Sequence, residues 1–201
     1  MQGDIEDWRK AGKLAAEALR FAGSLVKKGA KVIDVCDAVE KKIYEMGGVP
    51  AFPVQISLDK VAAHYCPGPG DDTVLQDQIC CIDVGVAVNG CIGDNACTID
   101  LSAKHDELVK ASKDALDAAT AILRPGITLG EIGKAIQEAI MKRGFSPVRN
   151  LSGHGLGKFQ IHTKPSIPNF YSGDDFRIES GSTFAIEPFA SSGAGYVVEG
   201  H

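Results

Sequence analysis

At 201 residues, 44% hydrophobic and 23% charged, the chain is long enough to bury about 70% of its unfolded surface and has an ordinary globular composition. Lys+Arg 21 against Asp+Glu 26 gives a net charge of −5 with no basic run, which argues against nucleic acid as the main partner. No apolar run reaches membrane-spanning length and the start, Met1 to Trp8, is acidic rather than signal-like, so a cytoplasmic protein without a membrane partner is expected.

Apolar residues at Trp8, Ala11, Ala15, Ala18, Leu19, Ala22, Leu25 and Val26 predict a helix over Asp7 to Val26. A second helix follows Gly29, with Val32, Val35, Cys36, Val39, Ile43 and Met46 on its apolar face, and it stops at Gly47-Gly48. Pro50 and Pro53 force extended chain into Val54-Gln55-Ile56-Ser57-Leu58. A loop rich in Pro, Gly and Asp then leads to Cys80–Asp94, the stretch around which the chain is organised. Two apolar runs flank Asn89-Gly90, a strong signal for a two-residue hairpin turn. With that turn Val88 pairs with Cys91 and Gly85 with Asp94, so Asp83 and Asp94 share a face on one diagonal, roughly 7–8 Å apart at the backbone. Gly85, opposite Asp94, offers no side chain to fill the gap between the acids. Two carboxylates on an otherwise apolar hairpin are costly unless a cation neutralises them. Two divalent metals about 3.5–4 Å apart would do so, and so would a Lys/Arg partner or solvent on an open sheet face.

From Ser102 the plan repeats. A helix runs from about His105 to Leu123 and ends before Pro125-Gly126. Thr128-Leu129-Gly130-Glu131 has the form of a capping box, and Ile132, Ala135, Ile136 and Ile140 mark the next helix, which ends at Gly144. Gly29 and Gly126, Val35 and Ile132, Ala38 and Ala135, Ile43 and Ile140, Gly47 and Gly144, and Pro50 and Pro147 each stand 97 positions apart. Such an internal duplication predicts one α+β domain over 1–201, with a first half of about 1–100 and a second of about 101–201. Its helix–helix–strand halves would be related by a pseudo-two-fold axis, their strands forming one sheet backed by four helices. The second half should carry a strand at Thr183–Ala190, with Ile186-Glu187 where Ile82-Asp83 stands, and Tyr196-Val197-Val198 should begin a return. The chain then reaches His201 with no counterpart of Asp94.

His154 lies in the glycine-rich Ser152-Gly153-His154-Gly155-Leu156-Gly157, His64 follows Ala62-Ala63, and His162 follows Ile161. Each taken alone reads more readily as a hydrogen-bonded core histidine than as a ligand. Taken with the acids, Asp83, Asp94, His154 and Glu187 form an oxygen-rich set suited to Mn, Fe(II), Co or Zn. His105 reads as surface. The glycine-rich loop lacks the G-x-x-x-x-G-K-[ST] phosphate pattern. Cys36, Cys66, Cys80, Cys81, Cys91 and Cys97 show no C-x-x-C spacing and read as buried free thiols.

Several stretches together carry a family resemblance. They are Asp83 with Asp94 eleven residues on, Asn150-Leu151-Ser152-Gly153-His154, Ile161-His162, Ile167-Pro168-Asn169, Phe184-Ala185-Ile186-Glu187-Pro188-Phe189, Ala51-Phe52-Pro53 and Ala62-Ala63-His64-Tyr65. In order and over essentially the whole chain, these resemble type II methionine aminopeptidases, most closely the archaeal form. The resemblance implies the pita-bread fold and metal-dependent removal of the initiator methionine from nascent polypeptide N-termini by a monomer, with the ribosome as one place of encounter. It implies two divalent ions (Co, Mn, Fe(II) or Zn), with Asp83 on one, Asp94 bridging, and His154 and Glu187 on the other. Glu187 would take a proton from the bridging water. His64 and His162 would bind the peptide carbonyl or shuttle protons, and Phe52, Ile161 and His162 would wall the methionine pocket.

The chain also departs from the family. A fifth ligand, a bridging glutamate downstream of Glu187, and the type II helical insert before it have no counterpart; Glu199 is not at a ligand position. A C-terminal truncation, or completion by a second polypeptide, is the expectation. Gly93 and Asn95 stand where Ala and Thr are more usual. An X-Pro peptidase and a non-catalytic binding protein on the same scaffold stay open as alternatives.

Overall fold

The structure, a computed structural model, describes residues 2–199; Met1, Gly200 and His201 lie outside the described residues. It divides into two compact units, Met1–His105 with Gly157–Ile161, and Asp106–Leu156 with His162–His201.

In the first unit the order is α1 (Gln2–Leu25), α2 (Val32–Glu45), β1 (Val49–Pro50), β2 (Gln55–Leu58), β3 (Ile79–Val88) and β4 (Cys91–Asp100). Helix α1 begins earlier than its apolar spacing alone predicts. Ala11, Ala15, Ala18 and Ala22 are fully buried on one face, and these small side chains let α1 lie close against β3 and β4. Gly93 answers them from the sheet, because a Cβ there would collide with the backbone of Ala11 and Gly12. That close approach accounts for glycine at this position. Helix α2 buries Val32, Val35, Cys36, Val39 and Ile43 in the same core as Ile56, Ile82, Val84 and Val86.

Strand β3 is the centre of this sheet. It pairs with β4 along its whole length, from Ile79↔Asp100 to Val88↔Cys91. Along its other edge it pairs with β1 (Val49↔Ala87) and β2 (Gln55↔Asp83). Asn89 and Gly90 have φ of 50° and 84°, the left-handed pair that a two-residue hairpin turn requires. Residues 157–161 complete the unit: Phe159 donates its backbone N–H to Gly90 O at 2.8 Å, its ring covers Gly90, and Lys158 reaches Asp4 at 3.0 Å.

The second unit contains α3 (Asp106–Ala121), α4 (Leu129–Lys142), β5 (Ser146–Pro147), β6 (Ser152–Gly157), β7 (Gln160–Pro168), β8 (Phe184–Ala185) and β9 (Ala190–Ser191). Thr128 and Glu131 form the predicted capping box at the start of α4. Ala115, Ala119, Ile127, Ile132, Ile136, Ile140 and Ile167 make its buried core.

The duplication holds down to individual hydrogen bonds. Gly29 N–H donates to Leu75 O and Leu75 N–H to Ala30 O, as Gly126 N–H donates to Ile178 O and Ile178 N–H to Ile127 O. Gly29 and Gly126 have φ of 86° and 85°, Gly47 and Gly144 of 79° and 80°. Strands β1 and β5 are equivalent, and Pro50↔Val86 matches Pro147↔Ala190.

Two expectations need correction. The predicted strand Thr183–Ala190 is split into β8 and β9, because Pro188 has no N–H to offer a ladder. For that reason the strands of the second unit form two hydrogen-bonded groups, β5–β9 and β7–β6–β8. Tyr196–Val198 is not a strand either. The Asn150 side chain takes the backbone groups of Val197, donating to its carbonyl at 2.7 Å and accepting from its N–H at 2.9 Å.

The expected gap between Asp83 and Asp94 is also partly filled. In an antiparallel pair, Asp83, Gly85, Asp94 and Ala96 point to one face. The Phe52 ring lies over Gly85 on that face, where a Cβ would overlap it. Gly85 is therefore the seat of an aromatic ring. Gly85→Ala is expected to lower stability by about 1–3 kcal/mol, the usual cost of overpacking. In a Phe52→Leu background the cost should shrink, so urea unfolding of the double-mutant cycle checks the contact; strictly additive effects would refute it.

Asp100 ends β4 by accepting from the Ser102 N–H at 2.9 Å, the Ser102 hydroxyl at 2.6 Å and the His105 N–H. Burial works to raise its pKa but is outweighed by these bonds, which hold it at about 2 against an ordinary 3.8. A depressed carboxylate contributes stability above its unfolded pKa and loses it as pH falls through the folded one. The urea midpoint difference between the native chain and Asp100→Asn should therefore be full above pH 3.8 and fade toward about 2. A difference independent of pH across that window would exclude this role.

Candidate metal centre

Each unit brings part of the predicted set together. In the first, the hairpin register sets Gly85 opposite Asp94 and Asp83 opposite Ala96, as the Asn-Gly turn predicts. Both acids are half-buried on the face that carries the Phe52 ring. His64 is exposed in the loop after β2 with φ of 67°, and the next residue ties that loop down: Tyr65 accepts from Ile56 N–H at 3.1 Å and donates its own N–H to Ser57 Oγ at 3.2 Å. Ile161 belongs with this unit.

In the second unit, β6 presents His154 between two glycines. A Cβ at Gly153 would collide with the Ala185 carbonyl, and one at Gly155 with the Lys164 carbonyl. The glycines thus let the neighbouring chain segments close in on either side of the imidazole. His154 pairs with Ala185, which sets Glu187 on the diagonal of the same face, and the side chains meet with Nε2 to Oε1 at 2.8 Å. Both are sheltered, at 13% and 28% side-chain exposure. His162 stands edge-on to His154, with ring centroids 4.3 Å apart at 85°.

The donor chemistry fits a divalent cation. His154 Nδ1 lies 3.1 Å from the Gly155 carbonyl, an acceptor, so a proton on Nδ1 satisfies that contact and would leave the Nε2 lone pair for a cation. Nε2 faces the Glu187 carboxylate. Two acceptors at this distance are held either by a proton on Nε2 or by a cation bound to both. Carboxylate oxygen with imidazole suits hard and borderline ions. The cysteines offer no competing thiolate set. Burial pushes the Cys36 thiol up to about 12 and Cys80 to about 11, so both stay protonated near neutrality. Cys36, Cys66, Cys80, Cys91 and Cys97 are free, as expected, although Cys66 is exposed and Cys97, like Cys81, is only half-buried. His105 is exposed at the start of α3.

The duplication relates these residues. Ser57↔Cys81 in the first unit and His154↔Ala185 in the second occupy the same register, and three residues before the matched Val86 and Ala190 stand Asp83 and Glu187. The two acids are one position of the ancestral half. His154 replaces a serine. One polar neighbour of Asp83 was not singled out from the sequence: Gln55, its partner on β2. The Gln55↔Asp83 register is its signal, legible only once β2 and β3 are paired.

Residues 6–200 match the metallopeptidase family M24. A methionine aminopeptidase of Pyrococcus horikoshii is 43% identical over 198 residues, covering 98% of this chain and 67% of the relative. The crystal structure of a Thermotoga maritima methionine aminopeptidase superposes with a TM-score of 0.91 at 31% identity, covering 98% of this chain and 84% of that one. A prolidase of Pyrococcus horikoshii gives 0.79 at 25% identity, covering 94% and 55%. The chain thus spans about two thirds of the length of the curated relative it matches. Helix pairs on antiparallel sheets, repeated twice, are the pita-bread arrangement of these proteins, and the chain belongs to the M24 metallopeptidases, in their methionine aminopeptidase branch.

Proposed function

We propose that the chain is a methionyl aminopeptidase, a metalloexopeptidase that removes the initiator methionine from nascent proteins and peptides in the cytoplasm. The observation that carries this reading is identity of 43% to a methionine aminopeptidase across 98% of the chain, with Asp83, Asp94, His154 and Glu187 all present. The two units would act as one catalytic domain. Asp83 and Asp94 from the first, with His154 and Glu187 from the second, would hold two divalent ions drawn from Mn, Fe(II), Co or Zn. Bound there, such ions lower the pKa of water toward about 7 and polarise a carbonyl.

The remaining steps fall to the chain's own side chains. Glu187 accepts a proton from the attacking water and returns it to the leaving amine. His64 and His162 donate to the carbonyl oxygen as charge develops on it. Phe52, Ile161 and His162 wall an apolar pocket for the methionine side chain, where each methylene of fit discriminates by only about 1–3 kcal/mol. Support for Phe52 comes from its seat on Gly85, on the face of the acids. Support for His162 comes from its contact with His154. Partners are polypeptide N-termini, met at the ribosome or after release, by a monomer.

Metal-dependent release of methionine from Met-Ala-Ser, supplied with Mn(II) or Co(II), tests the reading. Release should vanish with chelator and fall at least ~100-fold in Asp94→Asn, since a bound ion supplies several kcal/mol of charge stabilisation. Preferential cleavage of an X-Pro dipeptide would instead move the chain toward the prolidases, and no metal-dependent cleavage of either peptide would refute an enzymatic role.

A further inference from the structure

The amide of Gln55 holds a group that neither the fold nor the proposed chemistry uses. Its Oε1 is buried and has no hydrogen-bond donor in the protein. An acceptor withdrawn from water without a partner destabilises the fold, so such groups call for an explanation. The corresponding position in the second unit, Ser152, stands 97 residues on and is satisfied, accepting from the Ser166 hydroxyl at 2.7 Å. Of the two copies of this position, only Gln55 carries the deficit; the other such acceptor among the described residues, Asn169 Oδ1, lies in the second unit.

Its position limits what could satisfy it. Gln55 is directly opposite Asp83 in the β2–β3 register, and opposite residues of an antiparallel pair project to one face. That face carries Asp83, Asp94 and the Phe52 ring. Oε1 needs a donor. The methionine thioether has none, and neither has a scissile carbonyl. A free α-amino group has two or three N–H bonds, and a neutral amide oxygen beside a carboxylate is a suitable cradle for it.

We propose that Gln55 is a specificity-determining residue whose Oε1 accepts a hydrogen bond from the free α-amino group of the substrate's first residue, next to Asp83. The inference rests on the aminopeptidase reading and adds a group that selects for a free N-terminus. A buried polar atom kept for a ligand explains why the free protein tolerates the unmatched acceptor.

Gln55→Met tests it, because it keeps side-chain length and volume while removing the acceptor. Binding of L-methionine and of its des-amino counterpart, 4-(methylthio)butanoate, is measured by calorimetry on the Mn(II)-supplied full chain, beside the melting temperature of each protein. In Gln55→Met, affinity for L-methionine should fall about 10-fold, as for loss of one hydrogen bond to a charged group. Affinity for the des-amino compound should stay within about 2-fold, and Tm should rise by about 2–4 °C as the unmatched acceptor disappears. Gln55→Asn, which keeps an amide, should retain part of the discrimination. Equal losses for both ligands, or unchanged methionine binding, as a resident water on Oε1 would produce, overturn the inference and leave the aminopeptidase reading intact. If the native chain binds neither ligand with metal present, both fall together.

Discussion

The register of β3 against β4 is the constraint on which the chemistry of this protein depends. Side chains alternate along a strand, so a slip of one residue would move Asp83 and Asp94 to the opposite face, into the buried alanine surface of α1. Two features prevent the slip. Asn89 and Gly90 accept the left-handed turn at little cost, and Gly93 permits α1 to approach where any other residue would push it away. The apolar face thus fixes the polar one, and Val84, Val86 and Val88 hold the acids on the far side of the sheet as surely as any contact the acids make.

The duplicated frame explains how one sequence pattern supports two kinds of polar pair. Both units begin with a helix pair, turn through glycines of nearly equal φ, and pair a two-residue strand antiparallel with a later one. Upon that common frame the halves diverge. The first extends its hairpin to ten residues a strand and carries both aspartates there. The second interrupts the equivalent strand at Pro188 and replaces the serine at position 57 of the first half with His154. Gly153 and Gly155 let the neighbouring segments approach closely beside the histidine, and the Gly155 carbonyl lies within hydrogen-bond distance of Nδ1. The result is a carboxylate pair in one unit and a His–Glu pair in the other, built at corresponding registers.

Much of this was legible beforehand, for identifiable reasons. Helical spacing, the Thr128–Glu131 box and the Asn-Gly turn are local signals whose energetics lie within a few residues. The repeat at 97 positions was visible because both copies keep their turn glycines and prolines. Two of the differences involve contacts between segments distant in sequence: Phe52 on Gly85 and Asn150 on Val197 follow from three-dimensional packing that no periodicity encodes. The break between β8 and β9 has a local cause, Pro188. Gln55 escaped notice because a polar residue at a strand start is unremarkable until its neighbour is known to be Asp83.

By itself, the sequence determined the class of fold and the pairing within the hairpin, and it singled out Asp83, Asp94, His154 and Glu187 and the family to which they point. Periodicity, turn chemistry and motif spacing are properties of short segments, and they survive in any context that preserves the segment. Only the tertiary structure decided which faces those segments turn to one another, what covers Gly85, which nitrogen of His154 meets Glu187, and that an amide oxygen lies buried and unmatched beside Asp83. Those are consequences of close packing, where a missing Cβ on one strand is meaningful only through the atom that takes its place.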